Sequence, residues 1–327
     1  MKKLKPSFFT LVWLIAPFCL SLALILSLLN SFHPFFDSLA DVRIYLAIML
    51  LIVAAPLLFS SIYRFSLYFI LFAIIILTMT WQTGGITPSP KALSNKHYTL
   101  LQANLRFDNL ETHKLVEIIH QQKPDFITYQ EGSTQWQSLF KQLQNEYPYQ
   151  VDCPRKNSII GSTGILSRHP FKTNDFLQCP HNEMVAIGNF DVDGQSVDVL
   201  SMHLFWPWPY RQHTQIDELA TLLKLPKSEN RIVAGDFNAV TWSNTVQRIE
   251  ALTKTRHIGT IGPTWLKYKI PTFLRPYLGL PIDQVLVSPS IHVLSAKLGA
   301  PTGSDHLPIE VIFEISKNND ELISSQQ

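Results

Sequence analysis

Formal charge is scarce at the start of the chain. No Asp, Glu, Lys or Arg occurs from Phe8 to Phe36, from Ile44 to Tyr63, or from Phe65 to Pro90. Each stretch holds an apolar core of roughly 17 to 22 residues, long enough to cross the hydrocarbon of a bilayer. A water-facing surface is excluded there, and three transmembrane helices are predicted at Phe9–Leu29, Ile44–Ser60 and Phe65–Trp81. Cysteine is scarce too. There are three, Cys19, Cys153 and Cys179, and their spacing excludes a zinc site. No internal repeat or low-complexity block occurs. An excess of basic charge is also missing from the later part of the chain. Seven of the 27 basic and two of the 25 acidic residues precede His97, leaving 20 against 23 and a net charge near −3. The whole-chain pI of 8.3 therefore misleads. A near-neutral surface argues against a non-specific grip on long nucleic acid.

Lys2, Lys3 and Lys5 precede the first apolar stretch and Arg64 lies between the second and third, whereas the first loop carries Asp37, Asp41 and Arg43. Basic residues mark the cytoplasmic flank, so the amino terminus is expected inside. Three crossings then place everything after Trp81 outside. The expected location is a multi-pass protein of the bacterial inner membrane with its large domain periplasmic. Two crossings would leave that domain in the cytoplasm. A cleaved signal peptide at the first stretch is the competing reading, although its length exceeds a normal apolar region and two further stretches follow. Outside the cytoplasm a Cys153–Cys179 disulfide is allowed, closing a loop worth roughly 3 kcal/mol. Two free thiols are the alternative.

Residues 1–81 thus read as a membrane anchor, and 82–96, rich in Gly, Pro and small polar residues, as a linker. Residues 97–315 read as one domain and 316–327 as a polar tail. Within the domain, strands are predicted at Tyr98–Ala103, Asp125–Tyr129, Ser162–Ser167, Val185–Val192, Val197–His203, Ile232–Ala234, Gln284–Ser288 and Ile309–Ile315. Helices are predicted at His113–Gln121, Trp136–Leu143 and Pro209–Leu225. Asp193-Gly194 reads as a hairpin turn. Gly235 is expected to end its strand, so that Asp236 and Asn238 emerge at the carboxyl end. Strands joined by hairpins, with helices at intervals, give an α/β fold built on mixed sheets.

Polar residues recur where these strands end: Asn104, Glu131, His203, Asp236 with Asn238, Asp283, and Asp305 with His306. Each alone has an ordinary turn or capping explanation. Together, over more than two hundred residues, such explanations fit poorly. The stretches LLQANLRFDN, PDFITYQEGS, GSTGILSRHP, VLSMHLFWPW, IVAGDFNAVTWS, PIDQVLVS and GSDHLPIEV, in this order, resemble the endonuclease/exonuclease/phosphatase family. That family comprises metal-dependent phosphoesterases such as abasic-site endonucleases, deoxyribonucleases and sphingomyelinases. The resemblance spans Tyr98 to Ile315 and implies a four-layered α/β sandwich of two packed mixed β-sheets flanked by helices. It implies Mg²⁺ or Mn²⁺ as cofactor, held by Glu131 with Asn104 beside it and Asp305 as a further contact. It also implies that Asp236 aligns or deprotonates the attacking water, and that His306, oriented by Asp283, acts on the phosphoryl group. Asn238 and His203 would bind phosphate oxygens.

The expected partners are a lipid bilayer and a phosphodiester substrate, whether nucleic acid, phospholipid or phosphosugar. A non-catalytic phosphate-ligand sensor is the rival from another class. Two aromatic stretches border the site in sequence. Phe205 to Tyr210 follows His203 and is succeeded by Arg211; its rings could stack on a base or sugar, dip into headgroups, or pack under the next helix. Thr264 to Tyr277 interleaves Trp265, Tyr268, Phe273 and Tyr277 with Lys267, Lys269 and Arg275, which suits a bilayer surface or a polyanion.

Overall fold

Alternation along the strands sorts the domain into layers. In β1 (Tyr98–Asn104), Leu100 joins one buried cluster and its neighbour Leu101 another, as successive side chains on a strand must point to opposite faces. The computed structural model describes residues 12–82, 84–155, 161–173, 179, 184–225 and 228–316. The other strands are β2 (Phe126–Gly132), β3 (Tyr149–Cys153), β4 (Ser162–Ser167), β5 (Val185–Val192), β6 (Gln195–His203), β7 (Asn230–Asp236), β8 (Arg256–His257), β9 (Asp283–Val287), β10 (Ile291–Leu298) and β11 (Ile309–Ile315). They form a six-stranded sheet in the order β10-β11-β1-β2-β4-β3 and a five-stranded sheet in the order β5-β6-β7-β9-β8. Both are mixed: β1 pairs parallel with β2 and β6 parallel with β7, and the other pairs are antiparallel.

Between the sheets Leu100, Phe126, Ile165, Val199, Ile232 and Val285 make the central core. The first sheet's outer face, through Leu101, Ile127 and Tyr129, packs on Leu115, Ile119, Trp136 and Phe140 of helices Thr112–Gln122 and Thr134–Gln142. On the second sheet's outer face Leu200, Val233 and Leu286 meet Ile216 of helix Gln212–Leu219 and Val246 and Ile249 of helix Asn244–Thr253. The result is the expected helix, sheet, sheet, helix order. Cys153 and Cys179 are disulfide-bonded, while Cys19 is free and exposed.

Two expectations on elements are corrected. The single helix over Pro209–Leu225 is instead helix Gln212–Leu219 followed by a short 3-10 turn at Leu222–Lys224. Gly235 does not end its strand, because β7 continues to Asp236. The glycine is there for space: at φ +155° a Cβ would stand 1.9 Å from the Met202 carbonyl oxygen of β6.

The chain divides into two compact units, one of which combines the residues up to Gly84 with Trp206–His213 and Trp242–Thr245. Its helices are Ile15–Leu28, Pro34–Asp41, Arg43–Ala54 and Tyr63–Trp81. Three continuous membrane-length helices are not found among the described residues. Among the described residues only Tyr63–Trp81 is long and apolar enough by itself. Ile15–Leu28 is shorter, and Phe9 to Leu11 of the first expected span lie outside the described residues, as do Lys317 to Gln327 of the tail. The second expected span is broken. Pro34–Asp41 and Arg43–Phe59 meet at 65°, and Ala55–Phe59 tightens into a 3-10 turn at Pro56, whose ring removes a helix donor. Within this unit Leu24, Ala47, Leu50, Phe69, Ala73 and Ile76 pack together.

Candidate active site

Strand register assembles half of the site. His203 lies opposite Asp236 in the β6–β7 pair, and Asp236 opposite Asp283 in the β7–β9 pair, so three neighbouring strands present three polar side chains side by side. His306 reaches them from the turn before β11, its Nδ1 lying 2.7 Å from Asp283 Oδ2 and its Nε2 3.8 Å from Asp236 Oδ2. His203 Nε2 is 3.7 Å from the same Asp236 oxygen. All four residues are buried.

The other sheet contributes Asn104 and Glu131. Asn104, at the end of β1, donates through Nδ2 to Asp236 Oδ2 at 2.9 Å and to Glu131 Oε1 at 3.4 Å. Glu131 sits where the β2–β4 register shifts, with φ +61°, and its Oε2 accepts the Phe107 N–H at 3.2 Å. Its Oε1 is 4.0 Å from His203 Nε2. Asp305 is held from outside the sheets: Trp265 Nε1 donates to Oδ2 at 3.1 Å, and Arg275 donates to its carbonyl at 3.0 Å. Asn238, for which the resemblance implies phosphate binding, follows β7 in the next loop. Its Nδ2 donates to the Leu204 carbonyl at 2.8 Å, and its backbone N–H donates to Asp236 Oδ1 at 2.9 Å, which ties the loop after β7 to the end of β6.

The electrostatics divide the two histidines. Burial alone would lower the pKa of His306, but the carboxylates of Asp283 and Asp236 more than offset it and raise the value to about 10. Burial lowers His203 to about 3, assisted by positive charge on His306 and Arg155. At neutral pH His306 is thus cationic and His203 neutral. Burial also raises Asp236 and Glu131 above the usual carboxylate range, against the pull of His306. Buried carboxylates held so unfavourably are what a hard divalent cation relieves. Although one ligand atom from each of Asp236, Asp283 and His306 lies within 4.8 Å of the others, a cationic His306 has no lone pair to give, so the donors that fit such an ion are carboxylate oxygens, Glu131 and the nearby Asp305 among them. Two guanidiniums beside the site were invisible in the sequence. Arg106 stacks 3.6 Å from the Tyr268 ring centroid, and Arg155 lies 5.1 Å from that of Phe205. Neither stands at a strand end, so no pattern marked them.

The model of the Endonuclease/Exonuclease/phosphatase family matches residues 101–306. The chain belongs to this family. It is a phosphoesterase hydrolase by that membership, and family enzymes use divalent metals. No curated protein sequence matches the chain. Among solved structures, it is similar to D. rerio TDP2 complexed with a single-strand DNA product, at 18% identity and TM-score 0.54, covering 67% of this chain and 100% of that one. An endonuclease/exonuclease/phosphatase from Beutenbergia cavernae matches at 18% identity and TM-score 0.54, over 68% of this chain and 72% of that one. Staphylococcus aureus beta toxin with bound magnesium ions matches at 14% identity and TM-score 0.50, over 68% and 100%. At these identities the likeness is one of fold.

Proposed function

We propose that the chain is a membrane-anchored, divalent-metal-dependent phosphodiester hydrolase whose domain works outside the cytoplasm of a bacterium. The observation that carries the chemistry is the His203–Asp236–Asp283 register with His306 closing on it. Asn104, Glu131 and Asp305 would hold Mg²⁺ or Mn²⁺, and the bound ion would supply neutralising charge for the phosphoryl oxygens. Asp236 is fixed by the Asn104 amide and the Asn238 N–H, so its carboxylate is aimed before substrate arrives. It aligns the attacking water and, with a pKa raised by burial, accepts its proton. His306, cationic and fixed by Asp283, donates to the phosphoryl oxygens as their charge grows. His203, neutral, adds a hydrogen bond without competing for that charge.

Membrane anchoring rests on the apolar helix Tyr63–Trp81 and the uncharged stretches before it. The extracytoplasmic side is supported by the Cys153–Cys179 disulfide, since such bonds persist in oxidising compartments. Nuclease and lipid or sugar phosphodiesterase are both compatible with the site, and the TDP2 and beta toxin structures share its fold. The test is the full chain reconstituted with Mg²⁺ and offered bis(p-nitrophenyl) phosphate, nucleic acid, phospholipid and phosphosugar side by side. Hydrolysis that EDTA abolishes is expected. Turnover of phosphomonoesters alone, or turnover indifferent to EDTA, contradicts the reading. A carboxyl-terminal reporter active only in the cytoplasm would contradict the location.

A further inference from the structure

Helix directions in the N-terminal unit place particular residues at one end of it. Trp13 Nε1 donates to Val53 O, and Arg43 donates to Ser27 Oγ, so Ile15–Leu28 and Arg43–Ala54 run antiparallel. Ser66 Oγ donates to Ala54 O, and the Phe18 and Phe69 rings meet at 5.2 Å, so Tyr63–Trp81 runs parallel to the first helix. Leu28 and Trp81 therefore finish at the same end. Trp81 is 89% exposed there. Beyond Leu28 the chain turns through Phe32 into Pro34–Asp41, and this segment gathers the Trp206–His213 stretch of the same unit. The Phe35 and Trp208 rings meet edge to face at 5.1 Å, and Ser38 Oγ donates to Trp208 O at 3.3 Å.

The rings so gathered stay open to their surroundings: Phe32 is 79%, Trp208 47% and Tyr210 66% exposed, and Phe35 and Trp206 are exposed as well. No acidic residue occurs from Trp206 to His213, and Arg211 follows the rings. At the same end finishes the lipid-length helix Tyr63–Trp81, whose Leu67, Leu71, Ile74 and Met79 are exposed. Aromatic rings with polar edges, gathered at the end of apolar helices, match the water–lipid boundary, where Trp and Tyr are enriched.

We propose that Phe32, Phe35, Trp206, Trp208 and Tyr210 form a surface that seats in the headgroup region of a lipid bilayer. It would hold the segment that leaves His203 at the membrane. The proposal rests on the membrane anchoring put forward above. The experiment uses the full chain in phosphatidylcholine vesicles containing lipid spin-labelled at the headgroup or brominated in mid-chain. Tryptophan fluorescence is compared among wild type, Trp206→Phe/Trp208→Phe and Trp81→Phe, and each difference reports the residues removed. The Trp206/Trp208 share should be quenched roughly threefold more by headgroup labels than by mid-chain bromine, as an interfacial site requires. A bimane on Tyr210→Cys, in a Cys19→Ser background, should give the same ranking and serves if the double variant misfolds. Quenching of the Trp206/Trp208 share by aqueous iodide or by an added mononucleotide, and not by lipid, would overturn the proposal. If lipid quenches the Trp81 share alone, only this inference fails; if it quenches neither, the membrane reading fails with it.

Discussion

The two sheets reach the site by different means. In the five-stranded sheet, plain register sets His203, Asp236 and Asp283 side by side on neighbouring strands. In the six-stranded sheet, Glu131 is aimed by a register shift and a positive φ that a glutamate rarely adopts. The proposed proton acceptor Asp236 is thus placed by the regular part of the fold, and the carboxylate proposed for the cation by a local departure from it. Such departures carry strain that the surrounding structure must hold. The carboxylates at this end are pushed up by burial, whereas Asp125, just before β2 at the opposite end of that strand, is held below its ordinary value.

Substitutions can break or sharpen that contrast. Asp236→Asn should cut Mg²⁺-supported turnover by about 10³-fold or more while leaving the fold intact, as steady-state kinetics and circular dichroism would show. Gly235→Ala attacks the regular side through its backbone. A Cβ 1.9 Å from the Met202 carbonyl cannot be accommodated, and urea unfolding should register a loss of more than about 3 kcal/mol. Glu131→Gly attacks the irregular side and should have the opposite signature. Activity is lost, yet the variant unfolds at the wild-type denaturant concentration or above it, by up to about 1 kcal/mol, because glycine relieves the positive φ.

A smaller effect concerns Asp125. Burial, the largest influence, raises its pKa, but hydrogen bonds from His169 and from the Thr99 hydroxyl and N–H more than offset it and lower the folded value. A depressed folded value stabilises above the unfolded pKa of about 3.9, and that stability is lost as pH falls through the folded value. Asp125→Asn should therefore cost on the order of 1 kcal/mol at pH 6. Thermal melts of wild type and variant should converge toward pH 2.

Legibility in the sequence follows the same division. β4, β5 and β11 match their apolar patterns residue for residue, and the Asp193-Gly194 turn has the positive φ values its hairpin requires. The edge strand β3, the short β8 and the partly exposed β10 carry weak alternation and lie outside the predicted strands. Helix Asn244–Thr253 was missed although Val246 and Ile249 mark its buried face. Most predicted site residues converge because register brings strand ends together. What the sequence could not show is Asn238 turned onto the Leu204 carbonyl, or Arg106 and Arg155 brought in by loops. Three membrane spans were expected from apolar length alone, which is blind to the break before Arg43 and the tightening at Pro56.

The central claim is that both sheets build one catalytic unit, with the Asn104 amide donating to Asp236 and Glu131 across them. A double-mutant cycle of kcat/KM on a soluble phosphodiester tests it most directly, using Asp236→Asn, Glu131→Gln and the pair. Residues acting as one unit are non-additive, so the double variant should be scarcely slower than Asp236→Asn alone. If the two losses instead multiply in full, the sheets contribute independently and the account is wrong.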